Sequence, residues 1–383
     1  KAVNREEACL YAFNTLKATM VEYEKNSTVT VGNITIKDTS DAKEMTNTAK
    51  TDGNIDKDGK MQFAEKYFTD LRLNDNATDP FMRPANQWKI KSEEIGTYAQ
   101  TPDLTYTAAV KSSAIYKDLA LGDAIEKKNV SVYVDGESAD AYAIRKNDND
   151  TKFGGNGVLT EVFYDDDADT VTITEVNTYV GEISKTVKAT STADAYVEVL
   201  TGDAAADNVK KNTAANSTEK YETNETFEDD AYVLYTYSED AKEIKSVEVA
   251  KSVSGEATRI ENKAKVWDAN KAIYIEDTAY KFSNKADGVK LDDASVGNEY
   301  DVYLDAYGYA IYVEEVEEIG NYALLLNAAN KGSFVGKKAE LVFTDGTSKV
   351  VETEKDYTSI MRDGGNKLLP VIVTYKVDKD GVY

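Results

Sequence analysis

Apolar positions recur along this chain at two different spacings, and the change of spacing divides it. Between Asn4 and Met20, the residues Cys9, Ala12, Phe13, Leu16 and Met20 follow one another at steps of three and four, which predicts a helix with a single apolar stripe. Asn4 is placed to cap it, and Glu6 and Glu7 occupy the first turn, where the helix dipole favours negative charge. Nothing close in sequence offers that stripe a partner surface, so the helix reads as the tail of a domain that continues upstream. From Thr28 to Lys37 the spacing changes to that of a strand, with Val29, Val31, Ile34 and Ile36 alternating around a turn at Gly32-Asn33. Phe63, Ala64, Tyr67, Phe68 and Leu71 return to helical spacing between Met61 and Leu73. Pro80, Pro84 and Pro102 then fall around Trp88, which predicts irregular chain or short strands.

Beyond Gly96 the period is two. Four segments have the form strand, Asp-rich turn, strand: Val158 to Val176, Tyr232 to Val249, Tyr300 to Val313, and Val371 to the end around Asp378 to Gly381. Val171 and Ile173 alternate with Thr172 and Thr174, and Val371, Val373, Tyr375 and Val377 with Thr374 and Lys376. A short acidic stretch and a glycine follow each of the first three, at Gly181, Gly255 and Gly320. Acidic hairpins arise in any chain rich in Val, Thr and Asp; their recurrence in one order is what favours a repeat. The stretch from Asp203 to Asn224 has almost no large apolar residue and is predicted to be a mobile loop. The last hairpin pattern runs out at Tyr383, so the chain is expected to continue.

The predicted fold is mainly β, with an α+β N-terminus: serial small β-sandwich or barrel-like modules preceded by a helix-containing segment. Its expected divisions are residues 1–25 (the helix), 26–95 (a mixed segment), and β modules at 96–180, 181–254, 255–319 and 320–383, the last incomplete.

Composition narrows the chemistry. The 383 residues include no His and one Cys, which excludes His-activated nucleophiles, His-ligated zinc, an intrachain disulfide and thiolate metal sites. With 69 Asp and Glu against 45 Lys and Arg, the net charge of −24 disfavours nucleic acid and anionic lipid and attracts divalent cations. No uninterrupted apolar stretch approaches the roughly 20 residues of a membrane span, so no membrane insertion is expected. Tyr (26) exceeds Phe (10), and Pro is rare (4), a balance that suits long hydrated β-sheets.

The stretch Asn4-Arg5-Glu6-Glu7-Ala8, followed by Tyr11-Ala12-Phe13-Asn14-Thr15-Leu16, resembles the end of an S-layer homology repeat, with Asn4 where that family usually has Thr. The segments Met61 to Phe68, Arg83 to Trp88 and Glu94 to Tyr98 look like the region that follows such repeats in large surface proteins of Gram-positive anaerobes. The resemblance implies an extracellular location in the cell wall or S-layer, and a wall-polysaccharide anchor lying mostly upstream. Arg5 is the one position to which the family's glycan-binding arginine carries over. The alternative is that Arg5 caps or braces its own helix.

One short motif matches a cation loop. Asn54 to Glu65 has oxygen-bearing side chains at positions one (Asn54), three (Asp56), five (Asp58) and twelve (Glu65), the Lys60 carbonyl at seven, and Gly59 at six for the sharp turn. The alternative is a solvated Asp-Gly turn. Calcium is the only cofactor expected. These features lead to the expectation of a non-enzymatic, S-layer-like surface protein that self-associates into or projects a coat. An adhesin for host protein or glycan is the competing class. A carboxylate-pair glycosidase, which needs no His, is the remaining enzyme reading.

Overall fold

The computed structural model describes the chain except for residues 1–2, 24–27, 38–41, 48–54, 56–57, 202–217, 262–270, 289–290, 292–294, 317–320, 331–336, 355–356, 358–359, 362–368 and 378–380. The protein is mainly β, with 53% strand and 9% helix. It packs as two compact units, one of residues 1–296 and 302–314, the other of residues 297–301 and 315–383.

The first unit opens with the helix Arg5–Lys17, three residues shorter than the apolar spacing predicts. A capping box starts it: the Asn4 side chain accepts from the Glu7 amide at 2.7 Å, and the Glu7 carboxylate accepts from the Asn4 amide at 3.1 Å. It stops because Ala18 turns extended and Met20 joins the sheet-like bonding of Met45 and Met61. Of its apolar stripe, Cys9, Ala12 and Phe13 are exposed and Leu16 is half-buried. Phe13 meets Trp88 edge-on at 5.6 Å, and Leu16 packs on the small core of Ile55, Ala64, Leu73 and Trp88.

The second predicted helix is also shortened, to Phe63–Tyr67. Leu71 begins a strand instead, and Leu71–Thr78, Pro84–Ile90 and Glu93–Ala99 form a three-stranded antiparallel sheet. Trp88 and Leu73 face each other across that sheet, so the spacing that mimics a helix belongs to two elements sharing one core. Pro84 starts the middle strand, a position that needs no amide donor from it.

Four groups of strands follow, and their connections repeat. In the barrel the strands are, in chain order, Lys251–Ile260, Ala272–Ile275, Thr278–Gly288, Glu299–Leu304 and Ala310–Glu315. Numbered one to five, they close in the order 1-2-3-5-4, and strands three and five run parallel. The group before it has Tyr179–Val187, Tyr196–Leu200, Thr218–Glu222, Tyr232–Ser238 and Glu243–Val249 in the order 3-2-1-4-5, which is the same set of neighbours, with strands three and five lying alongside. In the first group Leu104–Tyr106, Val130–Val134, Leu159–Asp165 and Thr170–Val176 take the places of strands one, three, four and five, again with three parallel to five. A helix, Ser112–Asp118, lies where strand two would come in the chain.

The predicted hairpins at Val158 to Val176, Tyr232 to Val249 and Tyr300 to Val313 are strands four and five of their groups. Gly181 and Gly255 lie inside the strand that opens the next group, while Gly320 falls outside the described residues. A β-carbon at Gly181 or Gly255 would come within 2.7 Å of Val199 and Ile275 respectively, which is why only glycine fits. The predicted mobile loop is partly a strand: residues 202–217 lie outside the described residues, while Thr218–Glu222 alternates and turns Tyr221 onto the core of Ile183, Val197, Val233 and Tyr235.

The second unit contains the strands Asn321–Asn330, Lys337–Phe343, Ser348–Glu352 and Val371–Tyr375, in the order 3-2-1-4. Ala323, Leu325, Ala339, Leu341, Val351 and Met361 form its core. Of the last predicted hairpin, the first arm is present as the strand Val371–Tyr375. Val371–Tyr375 pairs with Asn321–Asn330, and the turn residues 378–380 lie outside the described residues.

Candidate functional site

The sequence-predicted residues fall in two places. Arg5 is the first residue of its helix and is exposed, and the cap beside it is made by Asn4 and Glu7. Asn54 and Asp56 lie outside the described residues. Of the remaining loop residues, Asp58 accepts hydrogen bonds through Oδ1 from the Lys60 amide (2.8 Å) and from Gln62 Nε2 (3.2 Å), and the Lys60 amide bond holds its carboxyl below the ordinary range. Lys60 Nζ pairs with Glu44 at 2.9 Å. Glu65 accepts from the Ile55 amide through Oε1 (3.1 Å), and through Oε2 from the Gln62 amide (3.1 Å) and Asn47 Nδ2 (2.7 Å).

These contacts tie the two arms of the loop to the start of the Phe63–Tyr67 helix, with Gly59 at φ +81° supplying the sharp turn. Asp58 and Glu65 both bond to Gln62, the first through its side chain and the second through its amide. The carboxylates already carry amide donors, so an entering calcium ion would have to displace N–H groups from Glu65.

A second polar constellation lies at the meeting of three strand groups within the first unit. Asp135 and Gly136 form the two-residue turn between Val130–Val134 and Glu137–Ala139, both at positive φ (+51° and +90°). Asp-Gly between alternating apolar residues is the strongest short-range hairpin signal. It identifies this turn from sequence; what it does not convey is that the turn is buried. Asp135 is 4% exposed, and its Oδ1 accepts from the Asn177 amide (2.8 Å) while Oδ2 accepts from Asn177 Nδ2 (2.9 Å) and the Tyr179 hydroxyl (2.6 Å). Its carbonyl takes the Glu239 amide at 2.7 Å. Lys285, from the barrel, lies over the Tyr179 ring at 5.2 Å. Nearby, Glu175 accepts the Gly154 amide at 2.7 Å.

Burial raises the Asp135 carboxyl above its ordinary value, opposed by the Tyr179 and Asn177 donors and by the Lys285 charge. Glu175 is raised by burial and further by Asp135, with the Gly154 amide and Lys285 acting against the shift. Tyr179 is pushed strongly upward by burial and the adjacent Asp135 charge, so its phenol stays protonated as the donor.

The glycine-rich segment Gly154-Gly155-Asn156-Gly157 adds a second link. The Asn156 carbonyl accepts the Asn284 amide (2.8 Å), and Asn156 Nδ2 donates to the Phe282 carbonyl (3.2 Å). Asn284 lies in a break of register between the parallel strands three and five, after the Phe282–Ala310 pair and before Asp287, so the loop's bond to its amide falls where that pairing is interrupted. Elsewhere Arg83 binds Asp79 through two nitrogens (2.6 and 2.7 Å) and reaches Glu161 at 3.2 Å. Tyr232, Tyr303 and Tyr312 pack their rings 4.9 to 5.8 Å apart between the second group and the barrel.

Compared with protein-family models, with curated proteins and with solved structures, the chain matches none. The site chemistry therefore has to be judged on its own residues. Among the described residues, no cluster of three or more His, Cys, Asp or Glu is arranged to hold a metal ion. Asp135 and Glu175 are met by N–H and O–H donors from other elements, an arrangement that locks strand groups together.

Proposed function

We propose that this protein is a structural element of a bacterial cell-surface coat, forming or projecting the layer through protein–protein contacts. The observation that carries the reading is the way successive strand groups in the first unit are joined. Asp135, Asn177 and Tyr179 link the first group to the second; Asn156 links the first to the barrel; and an apolar seam of Val180, Leu234, Ile311 and Tyr312 links the second to the barrel. Buried joints of this kind resist bending at each connection, which suits a load-bearing spacer better than a string of independently mobile modules. The strongly acidic surface keeps such a layer hydrated. Anchoring to wall polysaccharide belongs to the upstream repeats that the N-terminal resemblance implies, with Arg5 at their edge.

Dialysis of the purified chain against millimolar calcium, followed by electron microscopy, tests the reading: ordered sheets or filaments are expected. A monodisperse monomer that captures host protein or glycan under the same conditions would replace the coat with the adhesin.

Calcium enters this proposal as a brace for residues 54–65. Added calcium is expected to raise the melting temperature of the wild-type chain and to leave the Asp56→Ala, Asp58→Ala double variant unchanged. An equal rise in both, measured by scanning calorimetry, would remove calcium from this loop.

A further inference from the structure

The turn at residues 305–309 joins strands four and five of the barrel, and its aspartate has donors at one oxygen only. Asp305 Oδ1 folds back on its own turn, accepting from the Tyr307 and Tyr309 amides at 2.9 and 3.0 Å. Oδ2 points the other way, into the joint with the glycine-rich loop. Asp305 is 5% exposed, and Oδ2 is closed off so that no water-sized space adjoins it. Among the described residues no group donates to it. Gly157 forms the facing wall: a β-carbon there would overlap Oδ2 and come within 2.8 Å of Ser283 Oγ. The Ser283 hydroxyl is directed elsewhere, donating to the Asn156 carbonyl at 3.4 Å and accepting the Lys285 amide at 3.3 Å.

A carboxylate in this place is well bonded at one oxygen and has lost its water at the other. The neutral acid tolerates the position far better, because an uncompensated charge costs much more to bury than an unpaired neutral group. The elements packed on Asp305 bring no compensating cation to it. Residues 154–157 have no titratable side chain, and strand three contributes the uncharged Ser283 and Asn284, while the Lys285 charge acts on Asp135 and Glu175. Its own turn adds Tyr307 and Tyr309. Burial, and then the Asp305, Glu161 and Glu248 charges, raise the Tyr307 phenol, which therefore stays neutral. Burial likewise raises the Asp305 carboxyl, opposed by the Tyr309, Tyr307 and Gly308 amides.

We infer that Asp305 is a proton-operated latch on the joint between the glycine-rich loop and the barrel. Carrying its proton, the carboxyl lies closed against Gly157. As the carboxylate it needs water at Oδ2, and water reaches Oδ2 only when the loop, with its Asn156 bonds to Phe282 and Asn284, moves off the barrel. The closed joint binds the proton more tightly than the open one does. Closure is therefore strongest below the value of a solvated carboxyl, and it weakens as pH rises through the raised value of the closed state. The latch makes one joint of the first unit conditional on pH, and it acts within a single chain whether or not the chain assembles into a coat.

Hydrogen exchange of the Asn284 amide, which donates to the Asn156 carbonyl across the joint, tests the inference in the full 383-residue chain. After correction for the intrinsic exchange rate, its opening equilibrium is expected to rise by at least about fivefold between pH 4 and pH 8, as release of one proton on opening requires. Asp305→Asn keeps the side chain's shape without the ionisation and should flatten that rise, whereas Asp135→Asn should leave it in place. Far-UV circular dichroism confirms that both variants fold. A carbon-13 titration of the wild-type Asp305 carboxyl gives a readout that needs no variant, and its midpoint should lie above the ordinary aspartate value. Opening that does not change with pH, or a midpoint at or below the ordinary value, would overturn the inference. So would a rise that survives Asp305→Asn, and a rise abolished by Asp135→Asn would move the proton to the other joint.

Discussion

Gly157→Ala is expected to destabilise the first unit by about 3 kcal/mol, from left-handed strain on a non-glycine residue and lost hydrogen bonds at the loop–barrel joint. Gly157 has φ +76°, and a β-carbon there would overlap Asp305 Oδ2 and come within 2.8 Å of Ser283 Oγ. Asp305 cannot easily give way, because its Oδ1 is held by the Tyr307 and Tyr309 amides at 2.9 and 3.0 Å and the residue is buried. The loop must therefore move, and with it go the Asn156 bonds to Phe282 and Asn284. Urea unfolding should show a lower midpoint, with protease cleavage appearing in residues 154–157. Gly122→Ala provides the comparison: its β-carbon would meet nothing within 4 Å, so its effect should stay within about 0.5 kcal/mol. A Gly157→Ala cost below about 1 kcal/mol, with the loop still protected, would show that the joint does not hold the groups together.

Asp135→Ala is expected to cost a similar amount, about 3 kcal/mol. It leaves the Asn177 amide, Asn177 Nδ2 and the Tyr179 hydroxyl without their acceptor in a buried place, which outweighs relief from burying one charge. The pH dependence separates this joint from ordinary packing. Burial raises the Asp135 carboxyl, so the folded state binds its proton more tightly than the unfolded chain does. Its contribution to stability is thus greatest below the unfolded carboxyl value and declines as pH rises through that value towards the raised folded one. Glu175, also raised, acts in the same direction. The wild type should accordingly gain stability from these two groups on mild acidification, and Asp135→Asn should flatten that gain while keeping the side chain's shape. An unchanged slope of melting temperature against pH in Asp135→Asn would remove Asp135 from the account.

Much of the architecture was legible in residue order because alternation is a local property. The hairpins of Val158 to Val176 and Tyr232 to Val249 could be read directly, since each strand's period assigns its inner face whatever strand lies beside it. The cap at Asn4 was legible for the same reason: its bonds reach only three residues along the chain. Helical spacing misled where it crossed elements. Met20 and Leu71 continued a helical pattern in sequence, yet Met20 is bonded to Met45 and Met61, and Leu71 belongs to the sheet of Trp88.

The candidate cation loop shows the corresponding limit at a site. Spacing placed oxygens at Asp58 and Glu65, but spacing cannot say that Asn47, eighteen residues before Glu65, supplies a donor to it. Asp135 and Asn156 were missed as joints although each lies in a recognisable turn or glycine-rich loop. Their partners, Tyr179 and Asn284, are 44 and 128 positions away.

By itself, then, the sequence determined the β class, the acidic turns, the faces of the strands and the absence of histidine and paired-cysteine chemistry, all of which depend on residue type and near neighbours. Only the tertiary structure decided that strand one lies between strands two and four, that strand five runs parallel to strand three, and that an Asp-Gly turn is buried as a joint. Those choices rest on pairings between distant residues, and an alternating strand carries the same pattern whichever neighbour it meets.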